Sequence, residues 1–425
     1  MTIDSEHCIL ATLPGTGETV RARVNRGRIV AVEETGGANE HSDEAPKSDD
    51  GRPDVARSAD DRPLFISGGF FDIQVNGYAG QEFSSLRLSV EKVFEIAEAL
   101  WRFGTTRFLP TLTTQSFDVL AHGCRVLSEA ISGDSILRAR IPGLHLEGPY
   151  ISPQDGPRGA HPLPHVRAPN WDEFARLQDA ADGNIRLITL SPEYESAPEF
   201  IRRVVRTGVA VAIGHTAADG EQIARAVDAG AVLSTHLGNG AHPLLQRHPN
   251  YLWDQLAEDR LRASLIADGW HLPPAFVKVA VRAKSTENCI LISDLSGMAG
   301  LPPGHYQTDL CALEVLEDGR LVVAGQRTLL AGASKPIGQG IVNVIDYAGI
   351  SWNKALAMAV ENPAELLAIA PARIQPGEPL DLVLFETRDR TVTPGFKSSG
   401  KGHGTERELV VREVFFREFH RRWDD

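Results

Sequence analysis

The stretch HLEGPYISPQDGPRGAHP, residues 145–162, decides how this chain is read. The segment that leads into it, ARIPGLHLE (139–147), is expected to be a strand that stops at Gly148-Pro149 and leaves Glu147 at its carboxyl end. A carboxylate at the mouth of an apolar strand is costly unless a cation, a metal or hydrogen-bond donors meet it. His161 is a second polar anchor in the loop beyond.

Working outward, short apolar strands alternate with amphipathic helices on both sides of this stretch. The expected strands are 64–75, 105–112, 139–147, 185–190, 209–215, 231–236, 262–268 and 289–294. Helices are expected at 89–104, 115–131, 172–181, 197–207, 221–229 and 273–284. In the first, Ser89 is the N-cap, and Val90, Val93, Phe94, Ala97, Leu100 and Trp101 form the apolar face. Eight such strands over about 230 residues give the count of an α/β (β/α)8 barrel. A doubly wound open sheet is the alternative, but no Gly-x-Gly-x-x-Gly follows the first strand.

The chain ends read differently. TVRARVNRGRIVAVEE alternates apolar and polar residues around Asn25-Arg26-Gly27, a hairpin signal. Residues 35–62 hold almost no large apolar side chain and are expected to be a flexible, solvated acidic insertion. Residues 304–331 read as an inserted hairpin turning at Asp318-Gly319. Two helices, 336–348 and 352–369, should follow, and the tail from Gly377 reverts to β. The expected organisation is a catalytic barrel at 64–376 and a small β-sandwich built from 1–63 and 377–425.

Composition bounds the function. The chain has 425 residues, 42% of them hydrophobic and 23% charged, as in ordinary globular proteins. Its net charge of -13 argues against a nucleic-acid or acidic-membrane partner. Cys8, Cys124, Cys289 and Cys311 include no Cys-x-x-Cys pair, which argues against a thiolate zinc site and fits a reducing compartment. The first residues lack a basic segment followed by an apolar run, and no stretch approaches the ~20 apolar residues of a membrane span. A cytoplasmic location is expected.

Placed on these strands, the polar residues fall on one rim. Gln74 and Asn76 end strand one and Glu147 ends strand three. His215 ends strand five, His236 strand six, and Asp294 strand eight. That is the face where barrels carry their chemistry. One strand histidine is commonly structural; this whole set is not what packing alone selects. Glu147, His215 and His236 make the three-ligand set of an open catalytic site for one divalent ion, zinc first, with iron, cobalt, manganese or nickel as alternatives. Such an ion acidifies water and polarises a carbonyl. Asp294 is placed to take a proton from the water and deliver it to a leaving amine. His271, after strand seven, should face the mouth. Arg247 by itself reads as a surface arginine.

The segments SGGFFDIQVNGYAG (67–80), GLHLEGPY through GAHP (143–162), AIGHTAAD (212–219), STHLGN (234–239), LIADGWH (265–271) and ISDLSGMAGLPPG (292–304) together resemble the N-acetylglucosamine-6-phosphate deacetylases of the amidohydrolase superfamily. Many amidohydrolases carry His-x-His on strand one and a carboxylated lysine on strand four. Gln74-x-Asn76 and a strand four without lysine are similar to the single-metal members of this group. The resemblance implies that Glu147, His215 and His236 bind the metal and that Asp294 is the general acid/base. It implies that His161 polarises the acetamide carbonyl and that His271 contacts the sugar. It also implies that backbone amides at Asn239-Gly240 meet a substrate phosphate together with Arg247 from the partner subunit, which requires a homodimer. The loop LGNGAHPLLQRHPN (237–250) departs from the family pattern where the phosphate would be read. Another N-acyl amino sugar or N-acyl amine, without a phosphate, is therefore the alternative substrate. A catalytically silent binding barrel would lack a ligand, and none is missing.

Overall fold

The computed structural model describes residues 6–35, 64–309, 311–392 and 404–423. The expected acidic insertion at 35–62 lies outside the described residues, apart from Thr35, the last residue of the strand Arg28–Thr35.

Eight parallel strands follow one another around a barrel: β1 (Phe70–Val75), β2 (Thr105–Thr113), β3 (Leu144–Glu147), β4 (Ile185–Leu190), β5 (Ala210–Ile213), β6 (Ala231–Ser234), β7 (Arg262–Leu265) and β8 (Cys289–Leu291). Sequence neighbours pair from β1 to β8. Closure comes just past the ends of β1 and β8. There the Asp294 N–H donates to Gln74 O at 3.0 Å and the Asn76 N–H donates to Leu295 O at 2.8 Å. Phe71, Ile73, Leu109, Leu187, Ala212, Leu233 and Ile290 pack as one buried cluster drawn from six of the strands. Beside this apolar cluster a buried polar layer lies just below the rim, with His145 Nε2 2.8 Å from Thr189 Oγ1 and His145 Nδ1 3.5 Å from Thr111 Oγ1.

The helices form where period and caps agree. The first runs Val90–Trp101 with the Ser89 side chain accepting from Lys92 N. Its buried face is Val93, Ile96, Ala97, Leu100 and Trp101. Ile96 takes the place expected of Phe94, which is 41% exposed. Strand three begins later than expected, because Ser135–Arg140 is a helix. Asp134 Oδ1 caps it, accepting from Ile136 N at 2.8 Å and Leu137 N at 2.7 Å. The stretch expected as one helix at 352–369 is two, Trp352–Ala357 and Glu361–Leu366. Pro363 explains the break, since its ring cannot follow a helical turn without clashing with the carbonyl four residues back.

The chain ends meet in one seven-stranded sheet, ordered Phe419–Arg422, Gly404–Phe416, Asp381–Val392, Phe65–Gly68, His7–Thr12, Thr19–Asn25 and Arg28–Thr35. The expected single strand 64–75 thus divides between this sheet and the barrel. Gly69 is the joint: a Cβ there would stand 1.9 Å from Asp381 Oδ1 and 2.1 Å from Thr106 Oγ1. The insertion at 304–331 holds four antiparallel strands where one hairpin was expected: Gly304–Gln307, Ala312–Val315, Leu321–Val323 and Gln326–Leu330.

Candidate active site and metal centre

The carboxyl ends of the strands surround a cavity of about 320 Å³. Three side chains from β3 and the ends of β5 and β6 converge in it. His215 Nε2 and His236 Nε2 lie 3.3 and 3.0 Å from Glu147 Oε1, and 3.0 Å from each other. His215 Nδ1 donates to Pro157 O at 2.9 Å, which leaves Nε2 as the bare nitrogen facing the cluster. His236 Nδ1 is buried without a partner among the described residues. Donors held tetrahedrally by one ion at roughly 2.1 Å stand about 3.4 Å apart. The three ligand atoms are nearly at that spacing already, so the residues present fit a divalent ion. Burial opposes the charge on Glu147, but the two histidines outweigh it and hold its carboxyl well below the usual range.

The backbone is strained where it delivers these groups. His215, His236 and Asp294 have φ of +48°, +31° and +55°, the left-handed region that side chains other than glycine rarely adopt. Such conformations cost of order 1–3 kcal/mol each and persist where surroundings over-determine them. Here each falls just past a strand end and turns a side chain inward over the barrel.

Asp294 Oδ1 accepts from Asn76 Nδ2 at 2.8 Å and from Gln74 Nε2 at 3.1 Å. Gln74 Nε2 also donates to Glu147 Oε1 at 2.8 Å. Burial and then the Glu147 charge push the Asp294 carboxyl up to about 6. A carboxyl poised there exchanges protons near neutral pH.

His161 is buried with its ring centroid 4.3 Å from that of His215, and its Nδ1 has no partner among the described residues. Burial and the His215 charge hold it down to about 3, so its imidazole is neutral and carries one N–H. His271 lines the cavity, and its Nδ1 lies 2.8 Å from Asp268 Oδ2. Burial lowers its basicity, but the Asp268 carboxylate outweighs that and raises it. Asp268 Oδ1 also accepts from the backbone N–H groups of Trp270 and His271, locking the turn.

Asn239 and Gly240 line the same cavity. The Asn239 N–H donates to His236 O at 2.9 Å, while its side-chain Nδ2 is buried without a partner among the described residues. Gly240 (φ +57°) packs against the metal-cluster histidine: a Cβ there would be 2.8 Å from His215 Nδ1. Arg247 is exposed and is not among the cavity-lining residues. Sequence reasoning missed Asp268, Glu82, Trp270 and the wall of Leu313, Leu329 and Leu330 supplied by the four-stranded insertion. Asp268 had a signal, the Asp-x-x-His spacing of a side chain that caps its own turn; the others had none.

Residues 65–413 match the amidohydrolase family. The N-acetylgalactosamine-6-phosphate deacetylase of Shewanella sp. (strain ANA-3) is 33% identical over 304 residues, covering 70% of this chain and 73% of the relative. The human N-acetylglucosamine-6-phosphate deacetylase is 34% identical over 322 residues, covering 72% and 76%. Among solved structures, N-acetyl-D-glucosamine-6-phosphate deacetylase from Mycobacterium smegmatis superposes with a TM-score of 0.78 at 25% identity, over 98% of this chain and 99% of that one.

Proposed function

The chain belongs to the amidohydrolase family, among its amino-sugar-6-phosphate deacetylases, and from that premise we propose that it hydrolyses N-acetylglucosamine 6-phosphate to glucosamine 6-phosphate and acetate. The observation that carries this reading is the convergence of Glu147, His215 and His236 beside Asp294 in one cavity.

Glu147, His215 and His236 would hold one divalent ion, zinc by the nitrogen-rich character of the set. Its chemistry when bound is Lewis acidity toward an acyl carbonyl and toward water. Asp294, fixed by Gln74 and Asn76, takes a proton from the attacking water. It returns that proton to the amine as the C–N bond breaks, so that acetate and the free amine leave. His161, neutral and at the cavity wall, donates its N–H to the acetamide oxygen. His271, braced by Asp268, meets the sugar.

We assign the phosphate to Asn239 and Gly240, where the orphaned Asn239 Nδ2 supplies a donor. Arg247 is exposed and does not line its own cavity, which suits delivery to the site of a second copy in a homodimer. Leu244 and Trp253, 89% and 52% exposed on the same loop and the helix after it, supply apolar surface for that contact. All four cysteines are free, as expected in the cytoplasm.

Acetate release from N-acetylglucosamine 6-phosphate by metal-analysed protein tests the assignment; absence of turnover with the ion bound would refute it. The departure of the loop 237–250 from the family pattern favours one second reading, an N-acyl amino sugar without phosphate. That reading predicts that R247A leaves KM for the phosphorylated sugar unchanged.

A further inference from the structure

Glu82 belongs to a two-stranded hairpin, Gly77–Tyr78 with Gln81–Glu82, that follows β1. Glu82 lines the cavity together with Thr113, Gly297 and Cys311, and also lines the neighbouring cavity that holds Ser85 and Arg87. The wall is shaped around it: a Cβ at Gly297 would stand 2.2 Å from Glu82 Cγ, so the loop that carries Asp294 makes room for this carboxyl. The Asp309 backbone N–H donates to it. The Asp309 carboxylate itself is taken by Ser85 Oγ at 2.6 Å and by Arg87 at 3.5 Å. No ion pair among the described residues holds Glu82. Burial, and then the Asp309 charge, push its carboxyl up to about 7. Near neutral pH it therefore offers both an O–H and acceptor oxygens, the complement of a hydroxyl, which also gives and takes.

Its place in the cavity says which ligand group it meets. The acetamide on C2 is drawn to Asp294 and Glu147. The 6-phosphate lies toward Asn239 and Gly240, after β6. Glu82 stands on the β1–β8 side, beside Asn76 and Gly297. The substrate groups left for that wall are the hydroxyls on C1, C3 and C4.

We propose that Glu82 reads one ring hydroxyl of the bound amino sugar and so sets which sugars the enzyme accepts; the proposal rests on the amino-sugar reading above. A wall built to hydrogen-bond a hydroxyl rejects the analogue that lacks it, because the buried carboxyl is then left short of a partner.

The test compares kcat/KM for N-acetylglucosamine 6-phosphate with its 1-deoxy, 3-deoxy and 4-deoxy analogues, in wild type, E82A and E82Q. Wild type should lose about 10- to 100-fold on one analogue, mostly in KM. E82A should lose a similar factor on the parent sugar and nothing further on that analogue. E82Q, of nearly the same shape and so compatible with the close contact at Gly297, should keep part of the discrimination. Bound metal should not change in either variant. If E82A and E82Q keep the full wild-type preference for all three hydroxyls, the proposal is overturned. If wild type turns over none of these sugars, the amino-sugar reading falls, and this proposal with it.

Discussion

Glu147 and Asp294 are tied together by a single amide group: Gln74 Nε2 lies 2.8 Å from Glu147 Oε1 and 3.1 Å from Asp294 Oδ1. The metal-binding carboxylate and the proton-transfer carboxylate share one donor. Like charges this close repel, and the Gln74 amide offsets part of that repulsion while fixing both orientations.

Replacing Gln74 by Leu keeps the size and removes the shared donor. Partners of this kind typically contribute 10- to 100-fold to metal affinity or activity. Q74L should lose kcat by about that factor while retaining most of its fold, as judged by its circular dichroism. An unchanged kcat would show that the bridge is only structural.

Asp294 should control the acidic side of the pH profile. Its carboxyl is raised to about 6, and it must be ionised to accept a proton. kcat should therefore be full above that pH and fall as the pH drops through it. D294N should cut kcat by about 10²- to 10⁴-fold, with metal still bound, and abolish the limb. A limb of the same position in D294N would assign it to another group.

Removing the ion should destabilise as well as inactivate. The three ligand side chains are buried, and without a cation the Glu147 charge is met, among the described residues, by Gln74 and the two histidines. A ligand that binds only the folded state adds about 2.7 kcal/mol at a concentration a hundred times its Kd. Chelation should lower Tm, and added zinc should restore it. H215A should bind less than stoichiometric metal and show a smaller response to chelator.

Gly69 should tolerate no side chain. Its Cβ position lies 1.9 Å from Asp381 Oδ1, at the joint between the end-sheet strand Phe65–Gly68 and β1 of the barrel. G69A should cost about 1–3 kcal/mol in urea unfolding, the usual range for overpacking. Metal content and KM should stay near wild type, because the joint is remote from the cavity.

The rim was legible because strand direction fixes it. Glu147, His215, His236 and Asp294 each end an apolar run, and parallel strands must put all such ends on one face. The strained φ values of His215, His236 and Asp294 leave no trace in composition, so sequence could say where these groups sit but not how they turn inward. Glu82 and Trp270 enter the cavity through loop packing, which no periodicity encodes. The four-stranded insertion read as one hairpin because its inner strands, Ala312–Val315 and Leu321–Val323, flank the Asp318-Gly319 turn with apolar residues, while the first strand carries polar His305 and Gln307. Asp134, Gly69 and Pro363 were signals in plain sight. Gly69 and Pro363 mark breaks inside stretches whose hydrophobicity alone reads as continuous, and Asp134 caps a short helix that overlaps the start of the expected third strand.

One measurement bears most directly on the central claim: acetate released by metal-analysed protein from N-acetylglucosamine 6-phosphate and from unphosphorylated N-acetylglucosamine, side by side. Expected are about one divalent ion per chain and a strong preference for the phosphate ester, with turnover lost in D294N. One ion per chain with no acetate from either sugar would contradict it.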